Sequence, residues 1–265
     1  MKKITAKALA QAAGGVLVHE GNEPVAEHIS LDSRKMAEND LFVPIIGERA
    51  DGHDYICMAI GNGATVVFTS RHKTEEEVQE AILTQCKGDK EKETAAKAAA
   101  WICVPDTRKA LQDFGAYCRR NNPIPLVGIT GSVGKTTTRE MVAAALSAGF
   151  LVYKTPGNSN SQVGVPITVA EIPENAEIGV IELGMSEPGE MTRIANVAQV
   201  NCAVMTNIGV AHIEQLGSQE NILKEKLHIQ DGMSEKGTLF LNGDDPLLRN
   251  VVPEGGRKKV LYGLS

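Results

Sequence analysis

Aromatic side chains are scarce in this chain. One Trp, four Tyr and five Phe make up 4 % of 265 residues, which disfavours a stacking surface for single strands or sugars. Basic clusters are missing too, and the formal net charge is −6, so nucleic acid is not an expected partner. No apolar run approaches the roughly 18–20 residues that span a bilayer, so membrane insertion is not expected. The opening Met-Lys-Lys leads into an alanine-rich polar stretch without the apolar core of a signal segment. The five cysteines (Cys57, Cys86, Cys103, Cys118 and Cys202) show no paired metal-ligand spacing and read as reduced thiols of a cytoplasmic protein.

What the chain does have is length for two domains and a substantial core, with no internal repeat. A first α/β domain is expected over residues 1–122. A short helix starts at Ala6 and ends at the pair Gly14-Gly15; strands are read at 16–18, 41–43, 64–69 and 100–104, and a helix at 106–118. Residues 87–97 are charged and poor in apolar side chains, and read as a solvated excursion. The breakers Asn121-Asn-Pro-Ile-Pro125 mark the boundary to a second domain, 123–265. There the apolar runs 126–129, 178–183, 202–206 and 238–241 alternate with helical stretches, which predicts a parallel sheet covered by helices on both faces. Ligands of such sheets sit at the carboxyl ends of the strands.

The first of those strands runs into Thr130-Gly-Ser-Val-Gly-Lys-Thr-Thr-Thr138. A glycine-rich turn followed by a helix start points backbone N–H groups at phosphates, and the helix N-terminus adds positive potential. Gly131, Ser132, Val133, Gly134 and Thr137 would form that cradle, Lys135 would reach the outer phosphates, and Thr136 would offer its hydroxyl to magnesium. The strict G-x-x-x-x-G-K-[ST] spacing fails, because Ile129 stands where a glycine is required. Strand, turn and helix in this order still favour a nucleotide over a chance glycine turn.

Three further residues stand out. Glu182 closes the second strand, where its carboxylate would face a phosphate-bound magnesium; a solvated strand-end glutamate is the plainer alternative. His212 lies just past the third strand, in a loop opening with Thr206-Asn207, and could ligate a metal as neutral imidazole or be merely structural. Ser218 is a plausible cap for one helix over 219–231. At about 100° per residue, Ile222, Leu223, Leu227 and Ile229 share an apolar arc with Lys226 near its middle, and Lys224, Glu225 and His228 fall outside it. A lysine facing inward must be neutralised, paired, modified or left to snorkel. Burial lowers its pKa, and a neutral amine can take up carbon dioxide as a carbamate, which would turn a cation into a metal-binding anion. The polar loop 155–166 and the turn Asn242-Gly-Asp-Asp-Pro246 are weak signals alone.

Together these residues resemble the Mur ligase family, ATP-dependent ligases that add amino acids to the peptidoglycan precursor. The likeness covers essentially the whole chain. Residues 130–138 are similar to the family's phosphate loop, and Thr206-Asn-Ile-Gly-Val-Ala-His-Ile-Glu214 to its metal-site segment. Ile29-Ser-Leu-Asp-Ser-Arg34, Asp40-Leu-Phe-Val-Pro44 and Asp51-Gly-His-Asp54 look like its UDP-binding domain. Gly157-Asn-Ser-Asn160, Glu182-Leu-Gly-Met-Ser186 and Pro188-Gly-Glu190 look most like the member that joins D-alanyl-D-alanine to UDP-N-acetylmuramoyl-tripeptide.

The resemblance implies ATP and Mg²⁺ as cofactors and those two molecules as substrates, with the chain acting as a monomer. It implies that Lys135 stabilises the transferred phosphoryl group, that Thr136 and Glu182 hold a first magnesium, and that His212 and a carbamylated Lys226 serve a second metal region. Thr155, Asn158 and Asn160 would line the substrate side, Asn242 and Asp245 the adenosine, and Asp32, Ser33 and Arg34 the UDP portion. The tripeptide carboxylate would become an acyl phosphate, and the amine of D-alanyl-D-alanine would displace phosphate to give the amide. Ser161 stands where the family commonly has a second asparagine. The chain stops at Ser265, where the resemblance leads one to expect the rest of the central domain and a closing C-terminal domain, so impaired or absent ligation is expected of it. A non-catalytic nucleotide- or UDP-sugar-binding fragment and the ligase adding the third residue are the alternatives. Residues 29–34 argue against a folylpolyglutamate synthase, and the lack of a basic patch against a helicase.

Overall fold

The computed structural model describes residues 1–264 and divides into two units, Met1–Tyr117 and Cys118–Ser265. In the first, β1 (Ile4–Thr5) pairs with β3 (Val25–Ala26), and five strands form the main sheet: β2 (Val16–His19), β4 (His28–Ser30), β5 (Asp40–Phe42), β6 (Ala64–Thr69) and β7 (Ala100–Cys103). Their order is β2-β7-β6-β5-β4, parallel except for the antiparallel edge strand β2. Val66, Val67 and Phe68 are buried on both sheet faces, as an interior parallel strand requires. Helices α1 (Ala6–Ala12), α2 (Ile56–Gly61), α3 (Glu75–Cys86), α4 (Lys90–Ala98) and α5 (Thr107–Asn121) complete the alternation.

Helix α4 corrects the expectation of a solvated excursion. Asp89 Oδ1 caps it by accepting from the amides of Glu91 and Lys92. One alanine edge is enough to dock it: Ala96 and Ala99 are buried in the same core as Ile60 and Trp101, and the Trp101 indole donates to Ala96 O at 3.3 Å.

The second unit is one sheet of six parallel strands: β8 (Leu126–Thr130), β9 (Val152–Lys154), β10 (Ile178–Glu182), β11 (Cys202–Met205), β12 (Thr238–Asn242) and β13 (Lys258–Tyr262), ordered β13-β12-β11-β8-β10-β9. The expected parallel architecture is observed. The edge strands β9 and β13 were not legible; one has three residues and the other opens with two lysines, as suits an unpaired edge. Helices α6 (Lys135–Leu146), α7 (Gly164–Ala170), α8 (Glu190–Ala198), α9 (Ile213–Leu216), α10 (Gln219–Leu227) and α11 (Pro246–Arg249) flank it. Leu126 and Ile181 pack on one face with Val165, Met191 and Ile222, while Ile129 and Val180 pack on the other with Ala143. That alternation buries both faces. The chain goes from β8 out to β9, back to β10, and then across to β11 on the other side of β8. The carboxyl ends of β8, β10 and β11 therefore meet at the switch point where such sheets bind ligands.

Candidate functional site

The loop from Thr130 to Gly134 is braced by the end of β11. The amides of Ser132 and Val133 donate to the backbone and side-chain oxygens of Asn207, both at 3.0 Å, and the Thr206 hydroxyl donates to Val133 O at 2.6 Å. Gly131 has φ +148°, and a Cβ there would lie 1.9 Å from Thr206 Oγ1, so no larger residue fits this close approach. Gly134, at φ +83°, precedes α6, whose N-terminus carries no side-chain cap. Its first-turn amides thus lack helical partners, and they lie with Thr137 on an open rim. Ser132 Oγ is buried with no hydrogen-bond partner. A buried orphan hydroxyl beside uncapped amides fits a phosphate. Lys135 folds back and donates to Gly131 O at 2.9 Å.

Glu182 ends β10 and is 2 % exposed, which excludes the solvated alternative. Thr136 Oγ1 donates to its Oε2 at 3.0 Å, Asn160 Nδ2 to its Oε1 at 2.7 Å, and its own amide donates to Thr155 Oγ1 at 2.9 Å. Arg139, absent from the expected site, is also buried and donates to Glu182 Oε2 at 3.4 Å. Its place on the inward face of α6 was the available signal. Asn158, by contrast, is exposed on the loop, and Ser161 Oγ accepts from the Gly164 amide. Among the described residues no three His, Cys, Asp or Glu side chains form a metal cluster. The paired oxygens of Thr136 and Glu182 are nevertheless the hard donors magnesium takes, which usually keeps waters at its other positions.

Lys226 is 1 % exposed, and among the described residues no hydrogen bond or ion pair engages its ammonium. Burial first, then the nearby charge of Lys135, brings its pKa down from 10.5 to about 8, opposed by Glu225. His212 feels the same surroundings: burial, then Lys226 and Lys135, lower its pKa, while Glu190 opposes. The structure thus groups Lys135, Lys226, His212 and Glu190 electrostatically. His212 adopts φ +65°, a left-handed backbone at the start of α9, of the sort that collects at functional sites. Ser218 does cap α10, accepting from Asn221 N at 3.2 Å. Two expectations change here. The helix stops at Leu227 and a 3₁₀ turn, His228–Gly232, follows. Glu225 is buried as well, because its carboxylate accepts from the amide of Met191 in the first turn of α8, where the helix dipole favours an anion.

The remaining expected residues are engaged in framework bonds. Asn242 donates to Thr206 O at 2.9 Å, and Asp245 accepts from Ile208 N at 2.8 Å while capping α11. Both hold the strand ends in register. Within the first unit, Asp32 receives Arg34 Nε and Nη2 at 2.8 and 2.9 Å, and these bonds lower its pKa to about 2. Ser33 is largely buried, with its hydroxyl on Met58 Sδ at 3.6 Å. The same unit holds a cavity of about 240 Å³ lined by Ile45, Ile46, Ser70, Pro105 and residues 106–108. Ser70 there meets His53 Nε2 at 3.1 Å, and His53 Nδ1 meets Asp51 at 2.5 Å. The Ser70 amide also donates to Nε2, so the ring proton sits on Nδ1, facing Asp51.

Residues 129–265 match the Mur ligase middle domain, and residues 25–118 match the Mur ligase family catalytic domain. The chain is 37 % identical over 252 residues to the UDP-N-acetylmuramoyl-tripeptide–D-alanyl-D-alanine ligase of Bacillus subtilis, covering 95 % of this chain and 51 % of that relative. A crystal structure of MurF from Acinetobacter baumannii superposes with TM-score 0.83 at 28 % identity, over 99 % of this chain and 54 % of that one. MurF ligase from Thermotoga maritima in complex with ADP gives TM-score 0.73 at 31 % identity, over 90 % and 50 %. The chain thus spans about half the length of the relatives it matches.

Proposed function

The chain belongs to the Mur ligase family, and we propose that it carries the nucleotide- and precursor-binding parts of the ATP-dependent ligase that joins D-alanyl-D-alanine to UDP-N-acetylmuramoyl-tripeptide. The observation that carries this reading is the junction of Thr136 and the buried Glu182 beneath an uncapped helix N-terminus, at the sheet's switch point. In the proposed chemistry the tripeptide carboxylate, which water leaves unreactive, is activated by ATP and then attacked by the dipeptide amine.

Each residue has a role in that proposal. Gly131–Thr137 would cradle the phosphates, and Lys135 would leave Gly131 O to neutralise charge developing on the transferred group. Thr136 and Glu182 would hold magnesium, which when bound offsets the negative charge of the phosphates. Thr155 and Asn160 fix Glu182 and the loop that carries Asn158 toward substrate. Asn242 and Asp245 would shape the adenosine side through the strand ends they brace. The UDP portion would lie on the first domain, 1–122, near Asp32, Ser33 and Arg34. Lys226 is suited to carbamylation: its neutral amine attacks carbon dioxide and releases a proton, and the resulting carboxylate answers the cation of Lys135 with His212 nearby.

Calorimetric titration of the chain with UDP-N-acetylmuramoyl-tripeptide, against the dipeptide form, tests the assignment. Preference for the tripeptide is expected. Preference for the dipeptide would move the chain to the ligase adding the third residue, and binding of neither would reject the precursor assignment.

A further inference from the structure

The geometry points to Arg139 as a positioning residue that couples the nucleotide side of the site to the polar loop 155–160. Arg139 lies on α6, one turn after the phosphate loop, and is 5 % exposed. Its Nη1 donates to Gly157 O at 2.7 Å and to Glu182 Oε2 at 3.4 Å; Nε and Nη2 both donate to Glu140 Oε1, at 3.0 and 2.6 Å. Glu140 in turn pairs through its other oxygen with Lys154, at the end of β9 just before the loop. One guanidinium thus ties together α6, the tip of the loop and the carboxylate that Thr136 also reaches. Only the planar fork of arginine offers donors in enough directions for this.

The loop has few other anchors at its tip. Gly157 adopts φ +52° with open space around it, and Asn158 is exposed. The amides of Ser159 and Asn160 bond only to Pro156 O and Asn158 O, within the loop itself. A charge-assisted bond from a buried arginine to Gly157 O is the external hold on the tip around Gly157, whereas Ser159 O and Asn160 O further along accept from Thr168 Oγ1 at 3.2 Å and the Gly184 amide at 2.8 Å. Loss of such a bond releases a loop without disturbing the phosphate cradle, which Thr206 and Asn207 brace independently. Arg139 touches neither the loop of residues 130–134 nor Lys135 by any hydrogen bond found among the described residues.

This inference rests on the proposed division into a nucleotide side and a substrate side, but its first test needs no ligand. Hydrogen exchange of the Ser159 and Asn160 amides is measured in the whole chain and in Arg139→Met. Exchange at both should quicken roughly tenfold or more, the ratio that corresponds to losing one charged hydrogen bond, while β8 and β11 amides stay unchanged. Unchanged exchange in the loop would overturn the proposal. Glu140→Gln, at a half-exposed position, keeps Arg139 but weakens its orientation and should give a smaller acceleration in the same amides. No acceleration there, with α6 intact, would also count against the arrangement. The second test is binding: in Arg139→Met the affinity for ADP without magnesium, which the phosphate loop holds without Glu182, should stay within about threefold, and that for UDP-N-acetylmuramoyl-tripeptide should fall about tenfold or more. An equal loss for both would make Arg139 part of the nucleotide site and refute the coupling. If wild-type chain binds no tripeptide, the functional reading fails, while the exchange experiment still decides the role of Arg139.

Discussion

Glu182 and Lys226 are the two most deeply buried ionisable groups of the second unit, and their surroundings are opposite. Glu182 is met by a threonine hydroxyl, an asparagine amide and an arginine, with its own amide held by Thr155. Lys226 has no hydrogen-bond or ion-pair partner among the described residues, and the largest charge effect on it comes from another lysine, Lys135. The carboxylate is therefore preorganised as it stands. The amine is in an environment that favours its neutral form or its conversion to an anion. One end of the site is built to keep a charge and the other to change one.

The comparison makes predictions of opposite sign. The largest is Glu182→Ala, which leaves the donors of Asn160, Thr136 and Arg139 facing an emptied pocket. It should destabilise the chain by about 3–5 kcal/mol in urea unfolding and abolish magnesium–ADP binding in calorimetry. Gly131→Ala comes next: the added methyl meets Thr206 at a backbone angle alanine avoids. A loss of about 3 kcal/mol is expected from the combined strain and overpacking, with nucleotide affinity falling in parallel. If that variant binds ADP normally, the close contact between loop and β11 is not needed.

A smaller effect concerns pH. Lys226 has a folded pKa lowered from 10.5 to about 8. Below the folded value both states carry the charge, and its burial penalty is present in full. As pH rises through the window from about 8 to 10.5 the folded state sheds its proton first, so stability increases. A gain of about 2–3 kcal/mol should appear over that window in bicarbonate-free buffer, and it should be missing in Lys226→Met. A flat profile in the parent chain would mean that a partner holds the ammonium.

The same contrast explains what could be read from the residues alone. The phosphate loop was legible because glycine spacing, strand and helix start are local. Lys226 was legible because Ile222, Leu223 and Leu227 on the same helix define an inward face. Glu225 and Arg139 were not, since the groups that justify their burial, Met191 N and Gly157 O, lie 34 and 18 positions away in sequence. Helix α4 escaped for a similar reason: its alanine edge becomes a core element only once α2 lies against it. Asn242 and Asp245 were visible as a polar turn, but their bonds to Thr206 and Ile208 depend on the order of the strands.

The most direct test of the contrast is chemical denaturation of Lys226→Met at pH 7 in bicarbonate-free buffer. Removing an unpartnered ammonium from a largely buried side chain and keeping the apolar stem should raise stability by about 2 kcal/mol, although the residue is central to the proposed site. A variant less stable than the parent would show that Lys226 is a satisfied structural cation and would contradict this account.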